Sequence, residues 1–260
     1  TATHKLINSD EVMGALVEFA PPTLATAPIF EAAGTPFIYD ASLKSVLQDN
    51  EYAFKSFLDP QLGCEKLVNY AKENKDSVNI GAILAKAESS ELCLEAAKEI
   101  DPEIKEYWYD FGETEFRTLL LKAKNDGVDT ILIIGWANEF LPFFRQHTEL
   151  GYDFTILCGS GSECLSNNVL EIIPHEELQQ VIAYDLADIT ETEFAQEFKT
   201  RNPTATDADI VAAAHGYEAT WLFAEAMNQC QPLTKECVRE QLETVQGYPS
   251  ALNSDGFKDH

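Results

Sequence analysis

Basic residues are scarce in this chain. Lysine and arginine number 18 against 44 aspartates and glutamates, a formal net charge of −26 at neutral pH. Such a surface repels nucleic acid and anionic lipid, so neither is expected as a partner. Long hydrophobic runs are missing too. No segment approaches the ~20 apolar residues that a membrane span needs, and the opening residues lack the charged, apolar and small-residue order of a secretion signal. The sequence reads as a soluble mature segment.

Catalytic signatures are equally thin. "GSGSEC" (159–164) carries only the first two glycines of a dinucleotide fingerprint, with Cys164 in the third place. No phosphate-binding G-x-x-x-x-G-K-S/T occurs. "GSGSE" places glycine where a hydrolase would carry its serine. The five histidines, His4, His147, His175, His215 and His260, show no metal-ligand spacing, and His147 and His215 fall inside helical patterns. No cofactor, no metal and no enzymatic activity are expected.

Six cysteines are present, none in a C-x-x-C pair, which weakens zinc and thioredoxin-like readings. Cys230 and Cys237 flank "QPLTKE", a turn between two helical patterns, and Cys158 and Cys164 flank "GSGSE". Both spacings allow easy closure, so these two disulfides are expected, in an oxidising compartment. The pairing of Cys64 and Cys93 stays open.

Against these absences stands a regular alternation in a chain of 260 residues that is 45% hydrophobic. "GALVEF" (14–19), "TPFIY" (35–39), "VNIGAIL" (78–84), "IKEYWYD" (104–110), "DTILIIG" (129–135), "FTILCG" (154–159) and "VIAYDL" (181–186) read as strands. Helical patterns fall at 22–34, 62–74, 89–100, 114–127, 139–151, 191–203, 208–229 and 234–245. Gly34 and Gly127 stop two of them, Ser89 or Ser90 caps another, and Pro142 is placed in a first turn, where proline is tolerated. The fold class is α/β with parallel sheets and right-handed crossovers. The alternation pauses at 52–63 and again at 184–191, where a chain crossing between two lobes, or two ordinary loops, would fall.

In open α/β sheets ligands sit beyond the carboxyl ends of the strands. "ILIIGWANE" (131–139) is informative there: an apolar strand, read as buried on both faces, runs into Gly135 and Trp136. Gly135 would let a ligand or a facing strand approach, and Trp136 would offer an aromatic plate, unless it packs on the next helix. Other strand ends carry Glu18, Phe19 and Ala20; Ala41 and Ser42; Ser89 and Ser90; Gly161 and Glu163; Tyr184 and Asp185. Such hydroxyls, backbone donors, aromatic surface and carboxylate suit a small polar or zwitterionic molecule.

The order of segments resembles the type I periplasmic solute-binding proteins, the Leu/Ile/Val-binding class of ABC transporters. The resemblance is carried by "KLINSDEVMGALVEFAPPTLATAPIFEAAGTPFIYDAS" (5–42), "YAFKSFLDPQLGCEKLVNYA" (52–71), "GVDTILIIGWANEFLPFFRQHTELGYDFTILCGSG" (127–161) and "AAAHGYEATWLFAEAM" (212–227). It implies two Rossmann-like lobes joined by three hinge crossovers, with the ligand in the cleft. Residues 1–59 and 188–248 would form the first lobe, 60–187 the second, and 249–260 a segment returning toward the second. The resemblance also implies an opening strand–helix–strand ahead of Thr1, so a further flanking segment is expected there.

For the site, the resemblance implies carboxylate contacts from Ala20 and Thr23, mainly through backbone groups, and from the pair Ala41 and Ser42. Ser89 stands where the family has an aromatic residue. Trp136 matches the aromatic after the central strand. The ammonium-binding acid falls near Gly161, with Glu163 the nearest substitute. These departures leave leucine-like specificity open. The implied function is a periplasmic or extracellular receptor, with or without a lipid anchor, that captures an amino acid or related molecule and delivers it as a soluble monomer to an ABC transporter permease. The alternative is a ligand-sensing ectodomain of the same fold. A doubly wound enzyme ranks third.

Overall fold

The computed structural model describes residues 2–57, 59–74, 78–184, 189, 192–246 and 251. Contacts divide the chain into two units, Thr1–Leu58 with Leu186–His260, and Asp59–Asp185.

The first unit is built on three parallel strands in the order β1 (Ala15–Glu18), β2 (Phe37–Asp40), β3 (Ala53–Lys55). Side chains alternate across a strand, and the two faces are covered by different helices. Val17, Phe37, Tyr39 and Ala53 pack with α1 (Ala2–Asn8), α2 (Ala20–Ala32) and α3 (Ser45–Gln48). Ile38 and Phe54 pack on the opposite face with α11 (Asp207–Asn228) and α12 (Lys235–Leu242). Helix α10 (Glu193–Arg201) precedes α11.

The second unit holds five parallel strands in the order β5-β4-β6-β7-β8: β4 (Ile80–Ala85), β5 (Lys105–Tyr109), β6 (Thr130–Ile134), β7 (Thr155–Cys158) and β8 (Val181–Ala183). Its central strands are buried along their whole length, as the unbroken apolar runs require when both faces are covered. Ile83, Ile131, Ile133 and Ile156 face α6 (Arg117–Asn125) and α7 (Ala137–Leu150). Ala82, Leu84, Leu132, Ile134 and Leu157 face α4 (Pro60–Asn74) and α5 (Glu88–Ile100).

Several sequence expectations need correction. Residues 52–63, read as a pause, contain strand β3, whose three residues are too few to show a period. Helix α1 and the short helices α8 (Asn167–Ile172) and α9 (His175–Leu178) went unread for the same reason. Helix α7 begins at Ala137, so Pro142 lies inside the helix beyond its first turn. Helix α5 begins at Glu88 with Ala87 as its N-cap, and Ser89 and Ser90 lie within the first turn. Of the proposed return segment 249–260, only Ala251 is among the described residues.

All six cysteines form disulfides: Cys64–Cys93, Cys158–Cys164 and Cys230–Cys237. The last two are the pairs the spacing implied. The first ties α4 to α5 and was hidden by a separation of 29 residues.

His147 on α7 is buried, its ring stacked on Phe143 and close to Phe154. Burial holds its imidazole below the ordinary histidine range, with Glu177 and Asp153 pulling the other way. The unfolded chain therefore takes up a proton near pH ~6.5 that the folded chain refuses until the pH is lower. Stability is unaffected above that pH and falls as pH drops toward the folded value. His147→Gln is expected to flatten the decline of the urea midpoint between about pH 7.5 and pH 5. An unchanged slope would count against this account.

Candidate functional site

Strand order marks a candidate position in the second unit. Helix α5 leads from β4 outward to β5, and α7 leads from β6 outward to β7. The connections diverge between β4 and β6, the kind of switch point beyond whose strand ends open α/β sheets bind ligands. The first turn of α5, with Ser89 and Ser90, lies on one side of this switch point, and Gly135 and Trp136 lie on the other.

Trp136 is the N-cap of α7 and half-buried. Its ring meets the exposed Phe111 edge-on, with centroids 4.9 Å apart, an arrangement favoured by the aromatic quadrupoles. Part of the indole packs on the core beneath and part stays open. Phe111, on the loop after β5, was not singled out in the sequence; the aromatic-rich "YWYDF" was its signal.

Beneath Trp136 lies Glu139, a carboxylate with no solvent exposure. Its Oε2 accepts from the Trp136 N–H (3.0 Å) and lies 2.9 Å from the Tyr109 hydroxyl, while its Oε1 accepts from the Gly112 N–H (2.7 Å). Its position in the first turn of α7 also sets it against the positive end of the helix dipole. Burial, reinforced by the Glu139 charge, pushes the Tyr109 hydroxyl well above the usual phenol range, so it remains a proton donor. That one proton faces both Glu139 and the Ile134 carbonyl, 2.8 Å away.

This arrangement corrects the reading of Gly135. A β-carbon there would strike the Tyr109 hydroxyl and the Glu139 carboxylate. The glycine makes room for this buried pair of its own unit. Ser160 fixes the same turn, donating to the Gly135 carbonyl (2.8 Å) and accepting from its N–H (3.1 Å). The sequence signal for Glu139 was an acid three residues beyond the helix cap.

Around β7 and β8, the Cys158–Cys164 disulfide anchors the 3₁₀ turn Gly161–Leu165. Gly161 has φ +63° and Glu163 is exposed. Tyr184 lies over Gly63, and its hydroxyl donates to the Gly159 carbonyl at 3.2 Å. Asp185 lies outside the described residues.

In the first unit the strand ends gather Phe19, Ala20, Ala41 and Ser42. Phe19 is 71% exposed and has φ 67°, an uncommon backbone for a residue with a β-carbon. Thr23 is buried, and its hydroxyl donates to the Phe19 carbonyl at 2.8 Å. Ala41 is buried and Ser42 half-buried. The Tyr39 hydroxyl donates to the Leu43 carbonyl at 2.5 Å and pins this loop. Asp40, Ser56 and His215, which the sequence reading passed over as site residues, stand on the opposite face of the same sheet end.

Among the described residues, no group of three or more histidine, cysteine, aspartate or glutamate side chains is arranged to hold a metal ion. None of the described helices is long and apolar enough to cross a membrane.

Comparison with known proteins gives a consistent result. The profile of a family described as "Periplasmic binding protein" matches residues 1–260. A Leu/Ile/Val-binding protein homolog 7 from Brucella suis biovar 1 (strain 1330) is 22% identical over 276 residues, covering 93% of this chain and 66% of the relative. The chain thus spans about two thirds of that protein's length. Among solved structures, a leucine-binding protein from Thermotoga maritima MSB8 superposes with a TM-score of 0.78 at 20% identity, over 96% of this chain and 73% of that one. The substrate-binding protein LivJ from Streptococcus pneumoniae, in complex with isoleucine, gives 0.77 at 16% identity, over 99% and 75%. A solute-binding protein from Rhodopseudomonas palustris BisB5, in complex with 3,4-dihydroxybenzoic acid, gives 0.72 at 18% identity, over 95% and 69%. At such identities the likeness is one of fold.

Proposed function

We propose, from the premise that this chain belongs to the periplasmic binding protein family, that it captures a small polar solute, an amino acid or related molecule, for an ABC importer. The family is extracytoplasmic and consists of binding proteins rather than enzymes, in keeping with three disulfides and the missing catalytic signatures. The partner that receives the solute would be a membrane permease.

The observation that carries this reading is the partly open Phe111–Trp136 aromatic pair beside the β4/β6 switch point. It combines apolar surface with the N-terminal end of α5, whose backbone donors favour a carboxylate or another acceptor. Relatives of the same fold hold isoleucine and 3,4-dihydroxybenzoic acid, two small carboxylates. Ser89, where the resemblance implies an aromatic, leaves leucine-like specificity open.

Native mass spectrometry of the purified protein is expected to show a co-purifying solute of a few hundred daltons at most, lost on mild denaturation. Calorimetric titration with metabolite pools would replace it. A folded protein that binds nothing in either experiment would refute the reading. Trp136→Ala is expected to weaken solute binding by about 1–3 kcal/mol, roughly ten- to hundredfold, while leaving the thermal midpoint nearly unchanged. Collapse of the midpoint with full affinity in the folded fraction would assign Trp136 to packing alone.

A further inference from the structure

At the carboxyl end of the first unit's sheet, three buried side-chain atoms have no hydrogen-bond partner: Asp40 Oδ1, Ser56 Oγ and His215 Nδ1. Their convergence follows from strand alternation. Ile38 and Phe54 face α11, so Asp40 and Ser56, two residues further along β2 and past the end of β3, face the same way. Ser56 donates its backbone N–H to the Tyr39 carbonyl at 3.0 Å, which sets it opposite Asp40. His215 comes from α11 itself, 4% exposed, with Nδ1 3.9 Å from Asp40 Oδ1 and Phe57 alongside its ring at 5.9 Å.

That separation is too long for a direct hydrogen bond and short enough for one atom to bond both. Buried polar groups are rarely left unpaired, because each loses its water without a replacement. Glu18 ends the neighbouring strand in register with Asp40 and adds a second negative charge. Burial and Glu18 push the Asp40 carboxyl above its ordinary range, while His215 draws it back. A negative, partly desolvated cluster with three unpartnered polar atoms disfavours a carboxylate. It matches a group that carries positive charge and three donors.

We propose that Asp40, Ser56 and His215 form a subsite for the protonated amine of a small solute, with the ammonium donating to Asp40 Oδ1, to His215 Nδ1 and to Ser56 Oγ. This rests on the capture function above and reverses the polarity that the resemblance implied for the loop holding Ala41 and Ser42. The solute's carboxylate is left for other donors.

The test uses two matched sets of probes titrated calorimetrically into the whole chain: leucine, 3-methylbutylamine and 4-methylpentanoate; and tyrosine, tyramine and 3-(4-hydroxyphenyl)propanoate. In at least one set the amine-bearing probes should bind and the carboxylate-only probe should not. Asp40→Asn, with its thermal unfolding checked, should weaken amine binding on the order of 10–100-fold. Ser56→Ala should weaken it less and serves as the second variant if Asp40→Asn fails to fold. A carboxylate-only probe that binds as tightly as its amine partner overturns the subsite. So does amine binding untouched by both substitutions, which would leave a bridging water as the occupant. If no probe binds, the assignment to amino-acid-like solutes falls, and this subsite with it.

Discussion

Glu139→Ala is expected to destabilise the second unit by about 3–5 kcal/mol, the largest loss from any single substitution considered. The side chain is fully buried, and its removal strands the N–H groups of Trp136 and Gly112 and weakens the tie to the Tyr109 hydroxyl. Each buried donor left unpaired costs roughly 1–3 kcal/mol, so the sum exceeds an ordinary cavity of this size. Glu139→Gln should fall in between, because its amide keeps one acceptor oxygen and turns an NH2 toward a former donor. Urea unfolding followed by near-ultraviolet circular dichroism reads both variants. A midpoint for Glu139→Ala within error of the parent would show that these bonds contribute nothing net. The effect also reaches the site, since the same carboxylate holds the turn that carries Trp136 and the loop that carries Phe111.

Loss of the Cys64–Cys93 disulfide is the second large effect. Closing a loop of 29 residues restricts the unfolded chain by about 3.5 kcal/mol. The Cys230–Cys237 loop, with a separation of 7, gives about 2.5 kcal/mol by the same relation. The double variant Cys64→Ala/Cys93→Ala should therefore lower the denaturation midpoint more than Cys230→Ala/Cys237→Ala does. Both members of the first pair are fully buried against Leu67, Val68 and Ala97, so lost packing adds to the difference. The reverse ranking would mean that chain entropy is not the controlling factor. The first pair also fixes α5 to α4, so its loss is expected to loosen the helix turn bearing Ser89.

How much of this could be read from residues alone varied with length and locality. Strands β4, β6 and β7 announced themselves because both faces are covered, which leaves little room for polar residues. Strand β3 and helices α1, α8 and α9 are too short to display a period. Disulfides at separations of 6 and 7 were legible from the turns they close, whereas Cys64 and Cys93 meet only because α4 and α5 pack side by side. Trp136 was conspicuous as a wide side chain at a strand end. Glu139, three residues on, looked like any helix-surface acid until the fold buried it.

The sequence by itself determined the α/β class, the succession of parallel-strand units, the short-range disulfides and the expectation of a binder without catalytic groups. Those features depend on local period, turn chemistry and composition, which each segment carries within itself. Tertiary structure alone decided that β4 and β6 lie side by side to form the switch point, that Gly135 yields space to Tyr109 and Glu139, and that Asp40, Ser56 and His215 converge. Strand order and side-chain burial depend on which distant segments pack together, and one stretch of chain does not record its neighbour's place.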